Sequence, residues 1–164
     1  MADDAWSPHA FALVRAIHVL GVILWIGGVA MVTTVLIPSL QKLRSNEERV
    51  SLFEAIESRF ARQARVTTVI TGLSGFLMLE IVNGWSRYGT FQYWWIHAMT
   101  LIWAIFTFML FVLEPLVLHK RFLQRAREDP ERTFRITRAM HWVLLTASLA
   151  TVAAAVAGSH GWMA

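Results

Sequence analysis

Residues 13–28, LVRAIHVLGVILWIGG from Leu13 to Gly28, decide how the rest of the chain is read. They lie inside an apolar run long enough to cross the ~30 Å hydrocarbon core of a bilayer, which takes about 20 helical residues. The run nevertheless carries Arg15 and His18. On a 3.6-residue helix Arg15, His18, Val22, Trp25 and Val29 fall on one stripe, flanked by Gly21 and Gly28. An ionisable side chain inside a membrane helix is costly, so it faces a bundle interior and finds a partner or a ligand there. A glycine beside a histidine lets something flat or bulky approach the backbone. Two readings of the stripe follow. It is either a porphyrin pocket of imidazole, glycine and tryptophan, or a helix-packing face whose histidine bonds a neighbour.

Outward from that stretch, 164 residues leave room for one domain, and 56% apolar residues exceed what a soluble domain of this size needs. Four segments are long enough to span, over residues 9–38, 65–82, 91–121 and 134–158. The absence of cysteine excludes disulfides, thiolate metal sites and c-type haem attachment. MADDAW is acidic where a signal peptide would be basic, so no cleaved leader is expected. The net charge of +4 does not point to nucleic acid, because thirteen of the fifteen Lys and Arg residues flank two of the three connections. They run from Lys42 to Arg65 and from Lys120 to Arg138, leaving only Arg15 and Arg87 elsewhere. That asymmetry predicts a multi-pass inner (cytoplasmic) membrane protein with both termini periplasmic.

The predicted fold is an all-α, up-down-up-down four-helix bundle whose helices extend into the cytoplasm. Residues 47–64 form an amphipathic cytoplasmic extension of span two, with Val50, Phe53, Ile56, Phe60 and Ala64 on one apolar stripe and Asn46 as the expected cap. Either Thr68, Gly72 and Gly75, or Thr71 and Gly75, give span two a small-residue face for close packing. Trp85, Tyr88, Tyr93, Trp94 and Trp95 form an aromatic belt around the outer turn NGWSRYGT. Residues 124–130 are the second inner connection.

Among the histidines, His9 and His160 lie at the outer ends and are expected to be solvated. His18 and His97 count inward to similar depths from one membrane face, about 15 Å along span one and about 9 Å along span three. Two neutral imidazoles at similar depth on different helices can ligate haem iron from opposite faces, with Arg15 pairing a propionate and Gly21 and Trp25 shaping the pocket. The competing reading is two polar residues satisfied by Trp, Thr or backbone groups. Glu114, His119 and His141 form an inner set suited to a metal ion or a second haem, or else to an ion-pair network with Arg65 and Arg138. The methionines are spread over the membrane depth, as core filler is and as a copper(I) path is not.

RAIHVLGVILWIGG resembles the first helix of the CopD-like copper-resistance membrane family and of the related HemJ-type protoporphyrinogen oxidases. EAIESRF is similar to their segment entering the second helix, and WWIHAM to their Trp-x-His opening of the third. The resemblance implies a small helical inner-membrane protein with haem b as cofactor and His18 and His97 as the matching histidines. HemJ-type sequences carry a lysine where this chain has Met99, and an Arg-x-x-Asn-Glu-x-Pro-like motif where it has Arg138-Ala139-Met140-His141.

The expectation is therefore a haem b protein of membrane electron transfer or redox chemistry, an oxidoreductase if it is an enzyme. Its partners are the lipid bilayer and a quinone or redox protein, with a homodimer as one oligomeric option and no nucleic acid. The alternatives are copper or other metal transport of the CopD type, a HemJ-like porphyrinogen oxidase, and a purely structural subunit. Topology is tested directly. A periplasm-only reporter such as alkaline phosphatase, fused after Ala164, should be active, and activity of a cytoplasm-only reporter at the same point would reverse the assignment.

Overall fold

The computed structural model describes residues 8–43 and 45–162. The acidic lead at Asp3 and Asp4, Arg44, and the side chains of residues 8, 117–120, 123 and 127 lie outside the described residues. The described chain is all-α, and four of its helices are long and apolar enough to cross a membrane. They are span one (His9–Leu40), span two (Asn46–Ile81), span three (Phe91–Leu116) and span four (Pro130–Ser159).

Contacts fix the register. An added Cβ at Gly75 would meet the His18 ring and one at Gly21 would meet Thr71, while Gly28 lies against Phe60. Numbers rise along span one as they fall along span two, so the pair is antiparallel. Gly72 against Trp103 with Arg65 on Glu114, and Gly158 against Trp95 with Leu145 in one cluster with Phe106, set the next two pairs the same way. The result is an up-down-up-down bundle, closest at the seam between spans one and two.

Local chemistry explains the element ends. Ser45, not Asn46, caps span two, since its Oγ accepts from the Glu48 N–H, with Glu47 and Glu48 in the positive first turn. The second inner connection is shorter than residues 124–130. A helix runs His119–Glu128, Asp129 caps the next through the Arg132 N–H, and Pro130 sits in the first turn, where its missing N–H costs nothing. Span four therefore starts one turn before residue 134.

Both internal prolines of the spans are tied to π-helical turns. Val32–Leu36 is π-helical just before Pro38, and Met109–Leu118 is π-helical around Pro115. A proline inside an α-helix clashes with the preceding turn and removes a hydrogen bond, and a wider turn relieves the clash. Thr33 and Thr34 bond back to the Val29 and Ala30 carbonyls at 2.7 Å, tying off hydroxyls that the membrane cannot hydrate.

Two cores result. One, at mid-bundle, packs Trp25, Ile26, Val29, Phe106 and Leu145, with Trp25 edge-on to Phe106 at 4.9 Å. The other lies at the basic end, where Val32, Leu36, Ile37 and Leu40 meet Phe53 and Phe134, and Phe53, Phe122 and Phe134 form an aromatic trio. The outside of the bundle is the apolar face, with Leu13, Leu24, Leu73, Leu101, Leu116 and Val143 all exposed, which is the surface of a protein bathed in lipid.

The glycines separate into filled and open positions, and this gives a stability prediction. At Gly72 a Cβ would lie 2.5 Å from the Trp103 indole, which is itself anchored by its Nε1–H on the Thr68 carbonyl at 2.9 Å. Gly72→Ala should cost about 1–3 kcal/mol through overpacking. Gly27→Ala, with nothing within 4 Å, should be neutral or slightly stabilising. Unfolding in detergent micelles measures both, and equal effects would refute the packing account.

Candidate functional site

The candidate site grows from His18 on the seam between spans one and two. Its Nδ1 lies 3.0 Å from the Thr71 carbonyl and 3.2 Å from Ser74 Oγ. A carbonyl only accepts, so Nδ1 carries the proton and Nε2 holds the lone pair. Ser74 accepts from His18 while donating its own hydroxyl to the Ile70 carbonyl at 2.6 Å. Helix i−4 bonding by Ser74 and the absence of a Cβ at Gly75 together let the imidazole lie against span two.

His97 is held elsewhere. Its Nε2 donates to the Tyr88 carbonyl at 3.0 Å, and its ring stands edge-on to Tyr88 at 5.2 Å. Tyr88 in turn shares a 2.7 Å hydrogen bond with Thr100, and Trp85 and Phe76 extend the aromatic row along the outer turn. Nδ1 is therefore the lone-pair nitrogen of His97. Trp103 is level with Gly72 and His18 with Gly75, so His97 lies about one turn further out than His18, ~5 Å along the axis. The structure binds the two rings to different partners, span two and the outer turn, and does not join them.

The remaining predicted residues are placed as follows. Gly21 packs on Thr71, and Gly28 and Gly72 are filled by Phe60 and Trp103, so these glycines serve helix contact. Trp25 is buried in the mid-bundle core, and Arg15 is exposed on span one. His141 donates its Nδ1–H to the Thr137 carbonyl at 2.8 Å within its own helix, leaving Nε2 as its lone-pair nitrogen. His160 bonds Val156 and Ser159 at the outer end, where His9 is exposed. The His119 side chain lies outside the described residues. Among the described residues, no three His, Asp or Glu side chains converge as a metal site of that size needs.

Glu114 is ion-paired with Arg65 of span two, and Arg65 Nε also donates to the Leu110 carbonyl at 3.1 Å. The second bond has a cause in the backbone. In a π-helix each N–H reaches the carbonyl five residues back, so Pro115, which has no N–H, leaves Leu110 without its helical donor. Arg65 replaces that donor and takes the Glu114 charge with the same planar fork. Proline in span three was the sequence signal for a free carbonyl. The partners Thr71, Ser74 and Tyr88 had no signal beyond being small or aromatic.

Three buried side-chain atoms in the described residues lack hydrogen-bond partners: Trp25 Nε1, Thr68 Oγ1 and Thr71 Oγ1. Thr71 lies on the seam between spans one and two, facing Gly21, while Trp25 belongs to the mid-bundle core and Thr68 lies one turn from Gly72, which faces Trp103. No protein family, characterised protein or solved structure matches the chain. The three motifs resembling the CopD-like family are therefore read only through the geometry around them.

The Arg65 arrangement predicts a thermodynamic coupling. Arg65→Leu strands both Glu114 and the Leu110 carbonyl, and Pro115→Ala restores a backbone N–H to that turn. In a double-mutant cycle the two changes should couple by about 0.5–3 kcal/mol, with Pro115→Ala softening the loss. Additivity would show that Arg65 is not standing in for the missing donor.

Proposed function

We propose that this chain binds a b-type haem in the membrane and works in electron transfer, with His18 as the principal axial ligand and His97 as the second. The observation that carries the reading is the His18 hydrogen bond. An imidazole whose Nδ1–H is fixed on a backbone carbonyl presents Nε2 to a metal, and this is the usual arrangement behind a ligating histidine. Thr71 and Ser74 hold the ring's tautomer and orientation. His97 presents Nδ1, or Nε2 after release from the Tyr88 carbonyl. Arg15, about one turn outward from His18, is the cation for a propionate.

The donor set fits such a group; the glycine-lined space does not, because Phe60 and Trp103 fill it. A bound ring would therefore lie outside the packed seam, on the side where His97 is exposed and His18 half-buried. When bound, haem supplies reversible one-electron chemistry, and two neutral imidazoles favour its low-spin state. The orientation with both termini periplasmic and the inner membrane as location belong to the same proposal.

The test is an optical spectrum of protein purified from haem-replete cells. A sharp reduced α band is expected. His18→Ala should abolish haem binding, His97→Ala should convert the iron to high spin, and His9→Ala and His160→Ala should change nothing. Copper without haem would replace this reading with metal transport, and protein free of both after haem supplementation would end it.

A further inference from the structure

We propose that the basic end of the bundle carries a binding site for one anionic phospholipid, with an acyl chain in the groove between span one and the amphipathic start of span two. The groove has a volume of about 410 Å³ and an almost wholly apolar lining. Met31, Val35 and Ser39 line it from span one, Leu52 and Ile56 from span two, and Leu43 from the connection between them. Two observations identify the occupant.

The first is continuity with the lipid-facing surface. Leu20, Leu24, Met31 and Val35 are 59%, 51%, 42% and 57% exposed and follow one another at helical spacing along a single face of span one. The last two of these residues line the groove. The stripe that faces bilayer tails thus runs without a break into it, in the direction that an acyl chain takes from the membrane interior toward its headgroup.

The second is charge at the end where that headgroup would lie. Arg49 Nε donates to the Leu43 carbonyl at 2.7 Å and its Nη2 donates to the same oxygen, so the guanidinium is fixed beside a residue that lines the groove. The rest of its fork remains to grip an anion. Lys42, next to Leu43 in the chain and exposed, is a second cation in the same connection. Apolar walls with cations at one end match a lipid phosphate above its tail, and basic pockets at the ends of membrane helices bind anionic headgroups in this way. A zwitterionic lipid would offer the same tail but carry its own ammonium group against the two cations.

The full-length protein is reconstituted in nanodiscs of equal parts phosphatidylcholine and phosphatidylglycerol, re-extracted in mild detergent, and its retained lipid measured by mass spectrometry. Phosphatidylglycerol should be retained near one per chain and enriched over phosphatidylcholine. Lys42→Gln should weaken that retention about fivefold, the weight of one juxtamembrane cation. Ser39→Trp, which fills the groove with bulk and leaves the cations alone, should release the lipid. Arg49→Gln is the less clean variant because it also removes the bonds to Leu43. Equal retention of both headgroups, or full phosphatidylglycerol retention in Ser39→Trp, would overturn the site. So would a co-purifying protein or a dimer that is lost in Ser39→Trp with no headgroup dependence, since the groove would then be a protein-docking surface. His18 lies far along span one from the groove, so the haem spectrum of Lys42→Gln should match that of the unaltered protein whichever way the lipid result falls.

Discussion

Spans one and two approach closely at Gly21, where a Cβ would lie 2.6 Å from the Thr71 hydroxyl and 3.5 Å from the backbone of span two. Lipid tails are as apolar as leucine, so helix association in a bilayer relies on such close packing and on polar contacts between helices. The approach brings the Thr71 carbonyl within reach of His18 one turn away, and the adjacent face of span two takes the Trp103 indole at Gly72. Span three is thereby seated on span two, and span four on span three through Trp95 at Gly158. Lengthening one small side chain at the seam would propagate through all four helices.

Polar groups follow the same logic. Serine and threonine hydroxyls along the spans bond back to their own helices, Trp103 finds a carbonyl, and Arg65 answers both Glu114 and the carbonyl that Pro115 leaves open. A charged pair at this position is costly to desolvate unless further hydrogen bonds complete it, and the Leu110 carbonyl is that completion. Trp25 Nε1 and the Thr68 and Thr71 hydroxyls stand outside this pattern. Thr71 shows the cause most directly: its hydroxyl is pressed against Gly21, where close helix approach outweighs hydrogen-bond satisfaction.

The four spans were legible because hydrophobic length and helical period are properties of single segments. The apolar stripe Val50–Phe53–Ile56–Phe60 and the basic connections were visible for the same reason. What a glycine is for was not legible, since Gly28 and Gly72 look alike whether a porphyrin or a neighbouring aromatic ring fills them. Only the pairing of Phe60 and Trp103 with those positions distinguishes the two. The caps were missed by one residue at Ser45, because adjacent Ser and Asn are both good capping residues. The histidines stood out in the sequence as ionisable groups within apolar runs, but their partners Thr71, Ser74 and Tyr88 lie tens of residues away in the chain or in an irregular turn.

The π-helical turns at Val32–Leu36 and Met109–Leu118 also bear on how the chain tolerates changes in length. A π turn holds more residues than an α turn, so each such segment is slack wound into the helix. Elsewhere in a span, losing one residue would swing every later side chain by about 100° around the axis and tear the seam contacts out of phase. Within the slack, the same deletion tightens the turn to ordinary α-helix and leaves the phase of the flanking segments nearly as it was. The two π-helical segments thus stand where the bundle can take up a one-residue change while the packed faces on either side stay in phase.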